Sequence, residues 1–175
     1  MKDYNFEFNN LKKTISMTSS KVINCCEALI EKNLTITFVE SASAGKMCYE
    51  FSTVFNSGRI LIGGMVCYHS SMKEDLLQIP WGTIEKYSAE SAEVTKMMAQ
   101  RFSRYINSDI CVALTGLTTP GGSESEEKPV GTIFLHIVFP SKEIAAQFHF
   151  EGDAEEIIDQ AIDAVSELIL KEIES

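Results

Sequence analysis

The sequence lacks the features that mark membrane proteins and nucleic-acid-binding proteins. Its longest nearly apolar run, residues 60–68, is too short to cross a bilayer, and the polar beginning of the chain has no secretory pattern. There is no basic cluster, and 15 basic against 25 acidic residues give a net charge of −10, which repels nucleic acid. These absences predict a soluble, cytoplasmic protein that binds neither nucleic acid nor membrane.

Residues able to bind a metal are few and scattered. The five cysteines lie mostly in apolar segments without a CxxC or Cys/His spacing, which is typical of buried thiols in a reducing compartment. The three histidines form neither an HExxH motif nor the spacing of a catalytic triad. We therefore predict no metal site.

The composition that remains is that of an ordinary globular protein. A chain of 175 residues with 45% apolar and 23% charged residues is long enough to bury a core. It shows no internal repeat, linker or low-complexity tract. We predict one domain over residues 1–175, in which residues 1–8 are a flexible start.

Apolar periodicity alternates between strand and helix along the chain. Strands are predicted at residues 35–39, 59–68, 109–115, 130–139 and 143–150, and helices at 9–32, 46–54, 91–106 and from 153 onward, with a short helix after residue 70. Strand 59–68 is apolar on both faces and is expected at the centre of a sheet. The last two strands form a hairpin. This order predicts an α/β fold: a single three-layer domain, with a mixed β-sheet and helices packed on its faces.

Side chains at the ends of these helices predict where the helices begin and stop. Asn33 is expected to end the first helix. Ser70 and Ser71 are expected to cap the short helix. Asp153 with Glu156 forms the pattern of a capping box at the start of the last helix.

One stretch, TITFVESASAG from Thr35 to Gly45, places an acid, two serines and a glycine where a strand ends and a helix begins. Ser41 or Ser43 can accept the first free backbone N–H groups of that helix, which is the common use of serine at such a position. Alternatively, one of them is a nucleophile at the positive end of the helix dipole, where a developing oxyanion or a phosphate is stabilised. The stretch alone leaves both interpretations open.

Other polar residues follow the ends of neighbouring predicted strands. Tyr68 and Lys73 follow one strand, and Thr115 with Gly116 follows another. In open α/β sheets the loops beyond the strand ends meet in one crevice. We therefore expect these residues to share a site with the serines.

The combination of serine, lysine and tyrosine predicts acyl transfer. A lysine whose ammonium is partly desolvated can take a proton from a serine, and a tyrosine hydroxyl such as that of Tyr68 can relay a proton or orient the pair. The backbone at Gly121 and Gly122, or the helix-start N–H groups, could supply an oxyanion hole. Each residue also has a structural alternative: Lys73 as a solvated surface residue, Tyr68 as a half-buried strand residue, the glycines as turn residues, and Glu40 as a helix cap.

Four motifs resemble those of the CinA C-terminal domain family. The family's E-S-C-T-G-G turn corresponds to residues 40–45, and its G-G-x-x-x-Y-S-N-x-x-K segment to residues 63–73. Its T-G-I-A-G-P-x-G-G loop corresponds to residues 115–122, and its E-K-P-V-G block is intact at residues 127–131. The likeness covers nearly the whole chain from about Leu11 onward.

The characterised members of that family are nicotinamide mononucleotide (NMN) amidohydrolases, also called NMN deamidases. The resemblance implies hydrolysis of NMN or a related small amide to the acid and ammonia, without a metal or organic cofactor, by a homodimer. Ser41 or Ser43 would attack the amide carbon, Lys73 would accept the proton, and Tyr68 would lie close by. Ser41 is favoured because it keeps the family's serine. The residues expected to bind the small-molecule substrate are Glu40, Gly45, Thr115, Gly116, Gly121 and Gly122.

The chain departs from the family at positions that bear on the substrate. The signature turn has Ala42 and Ala44 in place of a cysteine and a glycine, and the loop has Thr118 and Thr119, of which the second, being β-branched, resists a positive φ. The family places arginines suited to a phosphate at the start of the last helix, whereas residues 152–159 are acidic here and repel one. Two alternatives follow: a substrate without a phosphate, or a weakly active or inactive member that binds a small ligand or forms an oligomer.

Overall fold

The computed structural model describes residues 18–174, which form the mixed α/β sheet that the sequence predicts. The five strands are β1 (Ile36–Glu40), β2 (Leu61–Val66), β3 (Ile110–Gly116), β4 (Thr132–Val138) and β5 (Glu143–His149). They lie in the order β2-β1-β3-β4-β5. β1 is parallel to β2 and β3, whereas β4 is antiparallel to β3 and β5, so the predicted hairpin is confirmed. The predicted helical residues 9–17 and the predicted flexible start lie outside the described residues.

Helices cover both faces of this sheet, so the predicted three layers are confirmed. The α-helices of residues 18–174 are α1 (Ser20–Lys32), α2 (Lys46–Ser52), α3 (Ser70–Asp75), α4 (Thr83–Tyr87), α5 (Ala92–Tyr105) and α6 (Ala154–Glu174). One core, which includes Leu29, Phe38 and Phe51, lies between the sheet and α1, α2 and α6. The other, which includes Val39 and Met98, lies beneath α5. Successive side chains of β1 enter opposite cores, as the strand pleat requires. Residues 18–174 contain no helix with the length and apolarity needed to cross a bilayer.

β2 is an edge strand, and the prediction of a central position for residues 59–68 is wrong. β2 pairs with β1 alone, and its side chains alternate between half-buried and exposed, with Ile62 and Val66 exposed. The apolar run led to the wrong position in the sheet because two of its residues, Gly63 and Gly64, are glycines and have no side chain to bury on either face. Gly64 instead permits close packing, since a Cβ there would lie 3.0 Å from the Phe38 carbonyl oxygen.

Two of the predicted helix ends are confirmed, and one cap differs. Asn33 ends α1 in the left-handed conformation, with φ 53°. At α6, the Glu156 N–H donates to Asp153 Oδ1 at 3.0 Å and the Asp153 N–H donates to Glu156 Oε2 at 2.9 Å, which is a capping box. At α3, the acceptor for the Ser71 N–H is His69 Nδ1, at 3.2 Å, and not a serine hydroxyl.

Candidate active site

The ends of β1, β2 and β3 meet at one edge of the sheet because these strands are parallel. The pairing continues beyond the strands. The Ser41 N–H donates to the Leu114 carbonyl oxygen at 3.0 Å, and the Cys67 N–H donates to the Glu40 carbonyl oxygen at 2.7 Å. These bonds fix Ser41 beside the segment that leads to Lys73.

Lys73 is a buried residue and not a solvated one, with 0% of its surface exposed. Its Nζ lies 3.0 Å from Ser41 Oγ, 2.9 Å from the Cys67 carbonyl oxygen and 3.4 Å from the Tyr68 carbonyl oxygen. Burial lowers the pKa of Lys73 below its ordinary value of 10.5, and the nearby Glu90 and Cys67 offset only part of this effect. The structure thus places a buried amine with a lowered pKa against a serine hydroxyl.

A buried carboxylate, and not a serine hydroxyl, caps α2. Glu40 is 1% exposed. Its carboxylate oxygens accept hydrogen bonds, at 2.9–3.1 Å, from the backbone N–H groups of Gly45, Met47 and Cys48. Ser43 Oγ donates to the same carboxylate at 2.6 Å, and it makes no hydrogen bond to Lys73. Of the interpretations that the sequence left open, the serine cap is wrong and the Glu40 cap is confirmed, because the carboxylate at the end of β1 reaches the positive helix start.

Replacing Glu40 with glutamine is expected to destabilise the fold by about 2–3 kcal/mol, the order of a hydrogen bond to a charged group. The side-chain NH2 of glutamine would face N–H donors of α2 or the Ser43 hydroxyl, which need an acceptor. Urea unfolding measures the change. The control is Glu31→Gln at an exposed position of α1, where we expect a change within about 0.5 kcal/mol. Equal stability of the two variants would contradict the capping role of Glu40.

A cavity of about 210 Å³ opens beside Ser41. It is lined by Ser41, Ala42, Tyr68, Glu90 and residues 116–122. The Tyr68 side chain is 67% exposed, and its hydroxyl makes no hydrogen bond within the described residues. Tyr68 therefore contacts Lys73 through its carbonyl oxygen and not through the hydroxyl expected to relay a proton.

The predicted substrate-binding residues divide between the cavity wall and the structure that supports it. Those in the wall are Gly116, Gly121 and Gly122. Thr115 is fully buried, and its hydroxyl oxygen lies 2.7 Å from that of Thr95, away from the wall. Glu40 and Gly45 belong to the cap of α2. The geometry therefore does not favour substrate contact by Thr115, Glu40 or Gly45.

Most of the backbone donors predicted for an oxyanion hole, namely the N–H groups at the start of α2 and that of Gly121, are already engaged. The helix-start N–H groups bond Glu40, and the Gly121 N–H donates to the Glu124 carboxylate at 2.7 Å. By contrast, the N–H groups of Ala42 and Ser43 have no acceptor within residues 18–174. Ala42 directly follows Ser41 and lines the cavity. Its amide is a free donor beside the candidate nucleophile.

Thr119 and Ala44, two of the residues that depart from the family pattern, differ in backbone conformation. Thr119 does not adopt a positive φ, so the strain expected there is absent. Ala44 adopts a positive φ of 48°, at a position where the family has glycine. This conformation costs an alanine about 1 kcal/mol. Ala44 is exposed and does not line the cavity, so its methyl group does not narrow it.

Two charged residues that the sequence analysis did not single out hold the loop over the cavity. Lys128 Nζ donates to Ser88 Oγ at 2.7 Å, to the Glu90 carbonyl oxygen at 2.9 Å and to Ser123 Oγ at 2.8 Å. The Ser123 hydroxyl donates to Glu90 Oε2 at 2.5 Å. The intact E-K-P-V-G block was a signal for Lys128, whereas nothing in the sequence marks Glu90.

Other parts of the described chain offer less for catalysis. A hollow of about 520 Å³, lined in part by Ile23, Ile30, Val54 and Phe55, has no lysine, arginine or histidine in its wall. Among residues 18–174, no three His, Cys, Asp or Glu side chains are placed to hold a metal ion. The cavity beside Ser41 is therefore the candidate active site.

Known proteins of related sequence agree on the family. The model of the CinA C-terminal domain matches residues 19–173. A CinA-like protein of Desulfotalea psychrophila is 33% identical over 140 residues, which are 80% of this chain and 33% of that protein. A CinA-like protein of Flavobacterium psychrophilum is 32% identical over 145 residues, which are 83% of this chain and 34% of that protein. The chain thus spans about a third of the length of the curated relatives it matches.

Solved structures of related proteins share the fold. A competence/damage inducible protein from Agrobacterium tumefaciens is similar with a TM-score of 0.83 and 22% identity, over 92% of this chain and 100% of that one. A competence-damaged protein (CinA) superfamily protein from Escherichia coli is similar with a TM-score of 0.79 and 25% identity, over 93% and 94% of the two chains. The α/β architecture is therefore common to these proteins.

Proposed function

The chain belongs to the CinA C-terminal domain family, and on that premise we propose that it is an amidohydrolase converting NMN or a related small amide to the acid and ammonia. The observation that carries the proposal is the contact of 3.0 Å between Lys73 Nζ and Ser41 Oγ, since Ser41 also lines a cavity. Burying a lysine is costly. A lysine held against a serine hydroxyl is suited to take the proton of that hydroxyl.

Burial favours the neutral amine that a base requires, because it lowers the pKa of Lys73. A neutral amine has two N–H groups and one lone pair. In the structure Nζ donates to Ser41 Oγ and to the carbonyl oxygens of Cys67 and Tyr68. In the neutral form the two carbonyl oxygens can accept both N–H groups, and the Ser41 hydroxyl then donates to the lone pair. Within the part of the chain that the structure describes, no carboxylate bonds Lys73 to hold a proton on it.

In the proposed reaction Ser41 Oγ attacks the carboxamide carbon while its proton passes to Lys73 Nζ. The Ala42 N–H donates to the oxyanion of the tetrahedral intermediate. The C–N bond then breaks, and Lys73 returns the proton to the leaving nitrogen, which departs as ammonia. Water, whose proton passes to Lys73, next attacks the acyl group on Ser41. The bond between the acyl carbon and Ser41 Oγ then breaks, which releases the acid, and Lys73 returns the proton to Ser41 Oγ.

Ser43 and Tyr68 have supporting roles in this scheme. The Ser43 hydroxyl bonds Glu40, so it fixes the turn that presents Ser41 and does not act as the nucleophile. Tyr68 lines the cavity, where it can contact the substrate. No metal or organic cofactor takes part.

Ammonia release by the purified chain tests the proposed function. NMN and other small carboxamides are the substrates, and the Ser41→Ala variant is the blank. We expect at least one amide to yield ammonia and acid in equal amounts. If none does, while a relative that has the arginines at the start of the last helix releases ammonia under the same conditions, the chain is the weakly active or inactive member of the alternative.

The pH dependence of turnover should report Lys73. Because burial lowers its pKa below 10.5, the fraction of neutral amine rises with pH through that lowered value. We expect kcat/KM to rise with pH and to level off below pH 10.5. Initial rates of ammonia release between pH 6 and pH 10 measure the profile. A rate that falls steadily over this range would contradict a lysine base.

We also propose that the protein is cytoplasmic and homodimeric, as its family resemblance implies. All five cysteines lie in the described residues as free thiols, which persist in reducing compartments. The exposed Ile62 and Val66 of the edge strand β2 lack the charges that protect such edges and offer a surface to a second copy.

A further inference from the structure

On the basis of that amidohydrolase function, we propose that the substrate is a small carboxamide with a positive charge and no phosphate, and that the Glu90 carboxylate recognises the charge. An N-substituted pyridinium carboxamide has this chemistry. The proposal rests on the charges in the cavity wall, on the ion pairs and hydrogen bonds of the nearby lysines, and on the size of the cavity.

Glu90 is the one residue of the cavity wall whose side chain carries a formal charge at neutral pH. Its Oε2 accepts from Ser123, whereas its Oε1 has no hydrogen-bond partner within residues 18–174. Its negative charge also acts on Lys73, whose pKa it raises against the effect of burial. The field of Glu90 therefore reaches the reacting atoms, and an oxygen remains available to a ligand.

Within residues 18–174 the cations near the site are engaged with the protein, and the backbone donors that remain free there, such as the Ala42 and Ser43 N–H groups, carry no formal charge. Lys46, the first residue of α2, forms ion pairs with Glu155 at 3.2 Å and with Asp159 at 2.5 Å. The three N–H bonds of the Lys128 ammonium all have protein acceptors. The amides at the start of α2 are satisfied by Glu40. A phosphate would therefore meet Glu90 in the cavity without a free cation to offset the repulsion.

The size and lining of the cavity agree with a compact cation. Its volume of about 210 Å³ is below the roughly 300–1,000 Å³ typical of sites for drug-sized ligands. This volume suits one aromatic ring with its carboxamide. Tyr68 also lines the cavity, and an aromatic side chain adds a preference for a cation because the face of its ring attracts positive charge.

Glu90 also holds the loop through Ser123, and the test must separate that role from charge recognition. Glutamine at position 90 keeps an oxygen for the Ser123 hydroxyl and removes the negative charge. The matched control is Glu93→Gln, because Glu93 is an exposed residue of α5 outside the cavity wall.

The experiment compares three probes: 1-methylnicotinamide, which is a cation without a phosphate, nicotinamide, which is neutral, and NMN, which carries the phosphate. Ammonia release gives kcat and KM for each probe with the wild type, Glu90→Gln and Glu93→Gln. Equilibrium binding of the same probes to the Ser41→Ala variant, with and without Glu90→Gln, supplies a measurement that does not depend on turnover.

We expect 1-methylnicotinamide to have the highest kcat/KM. Glu90→Gln should lower this value about 10- to 100-fold, mainly through KM, since it removes a contact with a charged group. The ratio of kcat/KM for 1-methylnicotinamide to kcat/KM for nicotinamide should fall by about the same factor in Glu90→Gln, whereas Glu93→Gln should change the turnover of all three probes less than about threefold.

Two results would overturn the inference while the amidohydrolase function stands: NMN as the better substrate, or a Glu90→Gln variant that keeps its preference for the cation. If no probe releases ammonia but the Ser41→Ala protein binds the cation in preference through Glu90, the proposed function fails and the ligand class is supported. Absence of both ammonia release and cation binding refutes both proposals.

Discussion

Replacing Lys73 with methionine is expected to reduce ammonia release at least about 100-fold while the chain stays folded. A general base contributes roughly 10²- to 10⁴-fold to a rate, and methionine has no group that can take a proton. Methionine is similar in length to lysine and apolar, so it suits a position with no exposed surface. Steady-state kinetics with the best amide measures the loss.

The free energy of unfolding of Lys73→Met shows whether a loss of turnover comes from removal of the base or from unfolding of the chain. The carbonyl oxygens of Cys67 and Tyr68 lose a donor, but the cost of burying an amine disappears as well, so we expect the free energy of unfolding to change by no more than about 2 kcal/mol. The wild-type free energy of unfolding should rise with pH between the lowered pKa of Lys73 and 10.5, because there the unfolded chain holds a proton that the folded chain does not. The variant should lack this rise.

The control for this substitution is Lys32→Met, at an exposed position at the end of α1. It should keep the wild-type rate within about twofold, since it touches no part of the site. A Lys73→Met protein that retains more than about a tenth of wild-type turnover would exclude Lys73 as the base.

The two serines of the turn should respond to alanine in opposite ways. Ser41→Ala is expected to lower kcat about 10³-fold or more, because it removes the hydroxyl that attacks the amide. Ser43→Ala should keep turnover within about tenfold but lower the free energy of unfolding by about 1–3 kcal/mol, because the buried Glu40 carboxylate loses a short hydrogen bond. Each variant is therefore a matched control for the other, at nearly the same place in the chain.

Turnover and urea unfolding, measured together on both serine variants, decide between the two candidate nucleophiles. A Ser43→Ala protein that is stable and inactive, beside an active Ser41→Ala protein, would reverse the assignment. Retained turnover in Ser41→Ala as well as in Lys73→Met would exclude the Ser/Lys mechanism altogether.

Much of the fold could be predicted from the sequence because it depends on contiguous patterns. The alternating apolar residues of β1, the capping box of Asp153 with Glu156 and the stop at Asn33 act over a few residues. The short α4 was missed, since five residues are too few to show a helical period. The edge position of β2 was missed because an apolar run does not state how many neighbours a strand has.

The candidate site was predictable in its residues but not in their connections. Motif likeness placed Ser41, Ser43 and Lys73 together as candidates. The contact of Lys73 with Ser41, and the bond of Ser43 to Glu40, came from the folded chain.

Local periodicity and motifs were thus sufficient to predict the class of fold, the family and the candidate chemical groups. The reason is that short-range sterics and hydrogen bonding depend on residues that are neighbours in the sequence. The folded chain was needed to establish that Lys73 is buried against Ser41, that Glu40 occupies the start of α2, and that Glu90 supplies the charge in the cavity. These features depend on distances and desolvation created when residues far apart in the chain pack together, and no short stretch of sequence contains them.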